Sequence, residues 1–553
     1  MAFLSNHPWV TGFAVLAAVY IARFVLKFIE HRKKFANLPG PPHSFIFGHL
    51  IALGKVTTKL PGRVHPHVYA HYLTKEYDLP PVFFVDTWPI REPMLLIQDP
   101  GVAQDIANSG IPKHPGARYF LAPLGGPENM VTAEGAVWKK WRSVFNPGFA
   151  ISHLMDQIPT IVECSKDYIK ILDGHAANSA LFRLEEEATK LTIDVIGKVI
   201  CDHDFKSLVQ DNKFVEIMRK QLSWMPDSRS MNPFHVYDPR RPLYWKYYKR
   251  QMDDYVGKIL DERFSNRSAN QTGKIKKKTS IDLALLEYFK QSGQDVDSKM
   301  TAMSAEFRRY AIDNLEILLF AGHDTTASTI CYCYHLLHKH PDKLQRIRDE
   351  LDKVFGQGRS ATEQLKQSPY LINKCDYTLA VVKEALRLWT PASSVRIGTK
   401  DFFVRDPSTG EMLPSEGCLT WAPSISIHRD TRYWGDDAMA FRPERFLPEN
   451  ADKLTPHAFR PFESGPRNCI GQELSMIEMK VVLAMTVREF DVWAAYDELD
   501  KLGEDGSLWA TEKSQKIGIQ ECFDDEAWQI LLAAAKPREG MPARVKRRTQ
   551  FSE

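Results

Sequence analysis

The chain is organised around one short segment, Phe462-Glu463-Ser464-Gly465-Pro466-Arg467-Asn468-Cys469-Ile470-Gly471. It places a single cysteine in a Gly/Pro-rich loop, just before a predicted helix. Apolar residues at helical spacing predict that helix: Ile470, Leu474, Ile477 and Val481. A helix N-terminus and the nearby Arg467 both favour thiolate over thiol, so we expect a low pKa at Cys469. Such a thiolate serves as a nucleophile or as a metal ligand.

The same segment matches every fixed position of F-x-x-G-x-R-x-C-x-G and resembles the haem-binding signature of the cytochrome P-450 monooxygenases. This resemblance implies that Cys469 is the axial thiolate ligand of a haem b iron. It also implies that Phe462 packs near the sulfur and that Gly465 allows the tight turn. The alternative is an ordinary buried cysteine, and further motifs in the family's order argue against it.

Composition excludes several other classes of protein. The 553 residues are 44% hydrophobic and 25% charged, which is typical of a globular chain with a large core. A net charge of +3 gives no indication of nucleic-acid binding. The eight cysteines are scattered without a C-x-x-C pair, so neither a zinc site nor a disulfide framework is indicated.

The N-terminus predicts a membrane anchor. The apolar run Trp9–Ile29 is interrupted only by Arg23 and Lys27, and it is long enough to cross a bilayer if those cations reach the interface. The basic flank His31-Arg32-Lys33-Lys34 predicts that the downstream chain is cytoplasmic. A cleaved signal peptide would need a positive region before the apolar run, and none precedes it. We therefore expect a single-pass protein, and the resemblance implies the endoplasmic reticulum membrane.

A proline-rich segment, Leu38-Pro39-Gly40-Pro41-Pro42, follows the anchor and predicts a stiff hinge. It is similar to the hinge of microsomal P-450 members. We therefore expect two units, an anchor with its basic flank at 1–36 and a catalytic domain at 37–553. The resemblance implies a catalytic domain that is mainly α with small β-sheets.

Four residues are candidate partners of the haem propionates. Trp138 and Arg142 lie one helical turn apart in a W-x-x-x-R pattern, so both face the same side. In the family this pair meets a propionate, and the resemblance adds Arg396 and Arg467. Residues 112–130 are rich in Pro and Gly and are predicted as a long loop, which in the family lies over the distal haem face and contributes to substrate selection.

A long helix is predicted over 304–338, and Pro341 prevents its simple continuation. It contains Ala321-Gly322-His323-Asp324-Thr325-Thr326, where weak helix formers in mid-helix require a reason. The motif resembles A-G-x-[DE]-T-[TS] of the family. This implies that the helix loosens, that Thr325 hydrogen-bonds dioxygen and that Asp324 relays protons. His323 is expected to pack rather than to bind iron.

A structural clamp is the last family element. Glu384 and Arg387 form an E-x-x-R pair on a helix predicted over 373–389, and Arg445 lies in a P-E-R-F element. The resemblance implies that these three residues form a buried triad that fixes the loop leading to Cys469. Short strands are predicted from residue 392, over 421–427 and over 530–534.

The C-terminal part and the electron source complete the prediction. Residues 502–528 are predicted as a polar surface insertion, and the tail 535–546 is similar to filamentous-fungal members that tailor polyketides. The sequence from Gly356 to Ala361 fits G-x-G-x-x-[GA] but follows a charged helical segment, so we reject a dinucleotide site. NADPH is therefore expected to act only indirectly, through NADPH–cytochrome P-450 reductase, with cytochrome b5 as a further candidate donor.

These observations predict a haem-thiolate monooxygenase that inserts one oxygen atom from dioxygen into an apolar organic substrate in fungal secondary metabolism. A fatty-acid or xenobiotic hydroxylase is the alternative substrate class. A haem-thiolate isomerase or dehydratase, or a non-catalytic haem-binding protein, is the alternative outside this reaction. The intact Asp324-Thr325 pair argues against both of the latter.

Overall fold

The computed structural model describes residues 8–226, 238–265, 279–291, 303–502 and 518–548. It confirms a fold that is mainly α with small β-sheets. The first helices are α1 (Pro8–Ala36), α2 (Leu50–Thr57), α3 (Tyr69–Tyr77), α4 (Pro100–Asn108), α5 (Pro115–Gly125), α6 (Gly135–Phe145), α7 (Ile151–Asp156), α8 (Ile158–Ala177), α9 (Leu184–Cys201), α10 (Lys213–Ser223), α11 (Arg241–Ser265) and α12 (Ser280–Gln291). They are followed by α13 (Ala305–Lys339), α14 (Pro341–Phe355), α15 (Ala361–Gln367), α16 (Asp376–Leu388), α17 (Ser424–Ile427), α18 (Thr431–Trp434) and α19 (Gln472–Thr486).

The described strands are short and form four small sheets. They are β1 (Val82–Val85), β2 (Met94–Ile97), β3 (Phe182–Arg183), β4 (Val395–Ile397), β5 (Phe403–Arg405), β6 (Met412–Pro414), β7 (Leu419–Trp421), β8 (Phe490–Ala494), β9 (Gln529–Leu532), β10 (Ala534–Pro537) and β11 (Pro542–Arg547). One sheet has the order β1-β2-β7-β4, in which only β2 and β7 pair in parallel. A second has the antiparallel order β3-β11-β8, and β5–β6 and β9–β10 are hairpins.

Helix α13 is the centre of the core. Its 35 residues are buried over most of their length, and it packs along α9 and against α5, α11, α16 and β10. The Ser304 hydroxyl caps it by accepting from the Phe307 N–H, and Pro341 starts α14 directly afterwards. The predicted helix over 304–338 is therefore confirmed to within one residue at each end.

Two predicted elements are wrong. Residues 112–130 are not a plain loop, because they contain α5: the His114 side chain accepts from the Gly116 N–H, Pro115 occupies the first turn, and Gly126 ends the helix at φ 72°. The strand predicted over 421–427 ends at Trp421, and Ser424–Ile427 forms α17. Pro423 lacks the N–H that a strand ladder needs, so the chain turns there.

The rejected dinucleotide motif lies where the sequence indicated. Gly356 follows α14 as its C-cap with φ 84°, so a helix rather than a strand precedes it. Of the predicted insertion, residues 503–517 lie outside the described residues. The hairpin β9–β10 replaces the single strand predicted over 530–534.

Helix α1 is apolar and continues into the domain. The segment Gly12–Ala36 has a mean hydropathy of 1.9, so it is long and apolar enough to cross a membrane. The most apolar part of this segment is not buried against the rest of the protein. Near the C-terminal end of this helix, the Arg32 guanidinium is buried and pairs with Asp86. The same guanidinium donates to the Trp88 carbonyl at 2.6 Å. The anchor helix is thus tied to the first sheet, while the division after residue 36 stays a prediction.

Candidate active site

The loop that carries Cys469 is tightly folded. Cys469 has an exposed side chain, whereas the other seven cysteines of the chain are buried. Its N–H donates to the Phe462 carbonyl at 2.9 Å, and the Phe462 side chain packs partly buried on the core. Gly465 has φ 70°, and a Cβ there would lie 2.7 Å from Asn108 Oδ1 at the end of α4. Only glycine combines that backbone conformation with that close approach.

The polypeptide itself raises the pKa of Cys469, so the predicted low pKa is wrong. The side chain is exposed to solvent on one side, and desolvation by the protein atoms around the thiol raises its pKa. The N–H groups of Gly471 and Gln472, at the start of α19, and the Arg142 guanidinium oppose that rise without cancelling it. The cation that stabilises the thiolate is Arg142 rather than Arg467. A metal ion at the sulfur would remove the thiol proton outright.

Three of the predicted propionate partners meet beside this loop. Arg142 donates to the carbonyl of Asn468 at 2.8 Å and to its side-chain oxygen at 3.0 Å. Arg467 donates to Glu134 at 2.9 Å. Its guanidinium lies over the Trp138 ring, 4.5 Å from the ring centroid. The W-x-x-x-R face of α6 is therefore packed directly against the cysteine loop.

Arg396, the fourth predicted partner, lies with a lysine that the sequence did not indicate. Arg396 is buried and donates to the Ile111 carbonyl at 2.7 Å. Lys113 pairs through its backbone with Arg396, and its ammonium donates to the Ser394 hydroxyl. Burial, and next the charge of Arg396, lower the pKa of Lys113 to about 8. No sequence pattern indicates that Lys113, a single lysine in a predicted loop, lies beside Arg396.

These cations form a region in which positive charge exceeds negative charge. Lys113, Arg142, Arg396 and Arg467 all have pKa values lowered by burial first. The carboxylates that oppose this at Lys113 are Glu463 and Glu134. Because these four partly or fully buried cations outnumber the two carboxylates, further anions are favoured there. An accessible sulfur beside an anion-binding region fits the iron and the two propionates of a haem.

The predicted triad residues lie together. Arg387 donates to both carboxylate oxygens of Glu384, at 2.7 and 2.8 Å, and all atoms of this pair are buried. Arg445 Nε lies 3.4 Å from Glu384 Oε1, and the Arg442 N–H donates to the same oxygen at 2.8 Å. Arg387 also donates to the Ala438 carbonyl at 2.7 Å. One carboxylate thereby joins α16 to the segment before the cysteine loop.

His428 continues the clamp towards the cysteine loop. Arg387 Nη1 donates to the His428 carbonyl at 2.5 Å, and His428 Nε2 accepts from the Arg460 N–H at 2.9 Å. Burial, and next the Arg387 charge, hold the pKa of His428 well below its usual value, so the ring is neutral and can accept. Arg460 in turn pairs with Glu463 at 2.8 Å. The clamp therefore reaches the loop through a neutral imidazole.

The backbone at the Ala321–Thr326 motif of α13 is regular helix, whereas the sequence predicted that the helix loosens there. The helix continues without a break through it, and the Thr325 hydroxyl donates to the Ala321 carbonyl at 2.9 Å. His323 is buried and bonds the Leu319 carbonyl at 2.7 Å through Nδ1, and burial lowers its pKa to about 4. It is a packed histidine, as expected. The predicted loosening is not seen as a break in the helix.

Asp324 has partners that the sequence did not indicate. Its carboxylate is fully buried and lies 2.5 Å from the ammonium of Lys536, on β10. The same ammonium lies 2.6 Å from Glu185 Oε1, at the start of α9. Burial raises the pKa of Asp324 to about 6. No sequence pattern joins positions 185, 324 and 536, because they lie in distant parts of the chain.

The fold and the loop around Cys469 fit a haem-thiolate protein, and helix α1 is long and apolar enough to cross a membrane. The chain belongs to the cytochrome P450 family, because the sequence profile of that family matches residues 38–517. It is 36% identical to cytochrome P450 monooxygenase polC of Polytolypa hystricis, over 96% of this chain and 94% of that protein. It is also 36% identical to cytochrome P450 monooxygenase acrF of Aspergillus aculeatus, over 89% of this chain and 99% of that protein. Human cytochrome P450 4Z1 is 28% identical over 88% of this chain and 92% of that protein.

Membership of this family defines the chain as an oxidoreductase that incorporates oxygen from dioxygen. It also implies haem-thiolate iron, an organic substrate and a separate reductase as redox partner. The apolar helix α1 agrees with the membrane anchor of microsomal members.

Proposed function

We propose that this protein is a membrane-anchored monooxygenase that hydroxylates or epoxidises an apolar product of fungal secondary metabolism. The observation that carries the proposal is the accessible thiol of Cys469 in a tightly turned loop beside cations that outnumber the nearby carboxylates. The similarity to polC and acrF, both from fungi, supports the pathway class. A polyketide-type substrate is the narrowest class that we propose.

The cofactor in this proposal is haem b, held at its iron by Cys469. Arg142, Arg396, Arg467 and Trp138 would hold the propionates, while Phe462 and Gly465 shape the loop. When bound, the haem supplies the activation of dioxygen. NADPH acts through NADPH–cytochrome P450 reductase, and cytochrome b5 is a second electron donor. The endoplasmic reticulum membrane is the proposed site, with residues 37–553 on the cytoplasmic side and 1–36 as the anchor.

The chain's own residues supply protons and positioning. Asp324 has a pKa of about 6, so it exchanges a proton readily near neutral pH. Thr325 is adjacent, and its hydroxyl can exchange the Ala321 carbonyl for another acceptor. Glu384, Arg387 and Arg445 act at a distance by holding the cysteine loop in one conformation. Helix α5 and the start of β4 border the region where an apolar substrate would lie.

The test is the reduced, carbon monoxide-bound difference spectrum of membranes that contain the protein. We expect the long-wavelength Soret band of thiolate-ligated haem in the wild type, and its loss in Cys469→Ala. Cys164→Ala is the matched control, because that cysteine is buried in α8 and should leave the band unchanged. A stable, haem-loaded wild type without the band would refute the proposal.

The reaction is tested by reconstitution with reductase and NADPH. Candidate fungal polyketides, fatty acids and aromatic compounds are screened for oxygenated products and for NADPH oxidation. Incorporation of one ¹⁸O atom per product from labelled dioxygen is the expected result. Turnover that is independent of dioxygen would indicate an isomerase or dehydratase instead.

A further inference from the structure

A small cavity lies against the buried face of α13 at the oxygen motif. It offers about 20 Å³ to the centres of water molecules, which is enough for about one water. Its lining includes Glu185, Glu186, Thr189, Arg219, Asp324 and Lys536. These polar and charged residues come from α9, α10, α13 and β10, so four separate elements supply them. Such a polar lining favours a bound water over an empty space.

The lining of this cavity ranges from fully buried to partly exposed. Asp324 and Lys536 have side chains that are 0% and 3% exposed. Glu186 and Arg219, which also line the cavity, form an ion pair, and the Arg219 side chain is 27% exposed. The same cavity is therefore bordered by a partly exposed arginine on α10 and by the fully buried carboxyl of Asp324.

In the buried part of the lining, two carboxylates share one ammonium. Lys536 is shared by Asp324 and Glu185, and Thr189 Oγ1 donates to Glu185 at 2.9 Å. Burial penalises the charged form of these carboxylates. The group is therefore arranged to bind one additional proton. The raised pKa of Asp324, about 6, agrees with the proton being held there.

We propose that protons reach Asp324 from solvent through this cavity by way of Glu185, and that Lys536 is the positioning residue that holds Asp324 in the relay. The proposal rests on the proposed monooxygenase function. In each transfer, the O–H bond of protonated Asp324 breaks and the proton binds a water on the side of α13 that bears Thr325. A cavity water then gives a proton to the Asp324 carboxylate, protonated Glu185 returns a proton to that water, and the Glu185 carboxylate takes up a proton from solvent.

Direct titration of Asp324 tests the cluster without turnover. The infrared carboxyl band of protonated Asp324, identified by its absence in Asp324→Asn, is followed with pH in the resting protein. Lys536→Met removes the cation that lowers this pKa, so the midpoint should rise by at least about 1 unit. Glu185→Gln removes the anion that raises it, so the midpoint should fall. The other charged groups that face the cavity, Glu186, Arg219 and His323, are unchanged in both variants.

Turnover tests the route itself. With reductase and NADPH, Lys536→Met should lower the product formed per NADPH by about tenfold or more and raise the solvent isotope effect, since general acid–base groups typically contribute at least that much. Lys536→Arg should restore most of the coupling because it keeps the charge. Turnover driven by hydrogen peroxide, which already carries its protons, should change little. Glu185→Gln should show the same pattern as Lys536→Met.

Lys249→Met is the matched control for the loss of a buried ion pair on the same helix. Lys249 lies 2.9 Å from Asp313 and 2.8 Å from Glu316 of α13, but it does not line the cavity. Its coupling should equal that of the wild type. If Lys536→Met folds poorly, the double variant Glu185→Gln/Lys536→Met removes both charges and serves instead in the coupling measurement, while Glu185→Gln alone serves in the infrared titration.

The outcomes separate two failures. A wild type that forms no oxygenated product contradicts the proposed function, while the infrared titration still tests the cluster. An active wild type with an unshifted Asp324 midpoint and unchanged coupling in Lys536→Met overturns the relay. Equal uncoupling in Lys249→Met would also overturn it, because the effect would then follow from any buried ion pair on α13.

Discussion

Replacement of Glu384 by glutamine tests the clamp beneath the cysteine loop. The carboxylate accepts two N–H bonds from Arg387 and one from the Arg442 backbone, and it lies 3.4 Å from Arg445. Glutamine keeps the shape but offers one oxygen, and it turns an N–H₂ group towards buried donors. Two buried guanidinium groups then lose their shared counter-charge.

The expected cost follows from that burial. Glu384 and Arg387 are each 0% exposed, so solvent does not screen the loss. Breaking a buried ion pair from one side costs about 3–5 kcal/mol. The loop between His428 and Cys469 should then lose its fixed position, and haem content should fall with stability.

The assay is urea unfolding followed by tryptophan fluorescence, together with haem content per polypeptide. Glu76→Gln is the control, because its ion pair with Lys59 spans 2.6 Å between side chains that are 33% and 60% exposed. Such a surface pair contributes below about 1 kcal/mol. Equal midpoints and equal haem content in Glu384→Gln and Glu76→Gln would refute the reasoning.

Three further predictions concern the loop glycine, acid stability and the anchor. Gly465→Ala should lower the free energy of unfolding by about 1–3 kcal/mol, because φ is 70° and the new Cβ would contact Asn108. Gly54→Ala is the control, because its Cβ would meet nothing within 4 Å and the substitution should be neutral or stabilising. The denaturant midpoint of each variant is the measurement. Burial raises the pKa of Asp525, but His335 and Lys339 more than offset this and hold the pKa below its usual value. The stability that Asp525 contributes is therefore present at neutral pH and is lost as pH falls below about 5. In Asp525→Asn, the free energy of unfolding measured in urea should therefore decrease less between neutral and acid pH than it does in the wild type. Arg32→Gln leaves Asp86 without its buried cation, so it should speed tryptic cleavage between α1 and β1. Replacement of the exposed Arg23 by glutamine is the control and should not speed cleavage. Equal cleavage rates in the two variants would contradict the contact between helix α1 and the domain.

Much of the architecture could be predicted because its signals are local. The cap at Ser304 and the proline at 341 bound α13 within one residue of expectation. Helix α5 was missed because its start depends on a histidine cap, which resembles ordinary loop sequence. Helix α17 was missed because Ile425 and Ile427 satisfy strand alternation equally well, and Pro423 decides the direction of the chain.

The site was less predictable than the fold. The segment 462–471 identifies the cysteine, and the roles of its neighbours stay predictions. The assignment of Arg467 as the cation beside the sulfur failed because Glu134, far away in sequence, attracts its guanidinium. Arg142 takes that place through two hydrogen bonds to Asn468.

The amino-acid sequence alone is sufficient for the family, the anchor helix and the identity of the loop cysteine, because each depends on residues close together in the chain. Three-dimensional packing was needed to bring Lys113 to Arg396 and Lys536 to Asp324 and Glu185. Electrostatic energies depend on distance through space and on burial, and neither quantity is encoded in sequence separation. For that reason the proton affinity of Asp324 and the charge around Cys469 follow only from the folded chain.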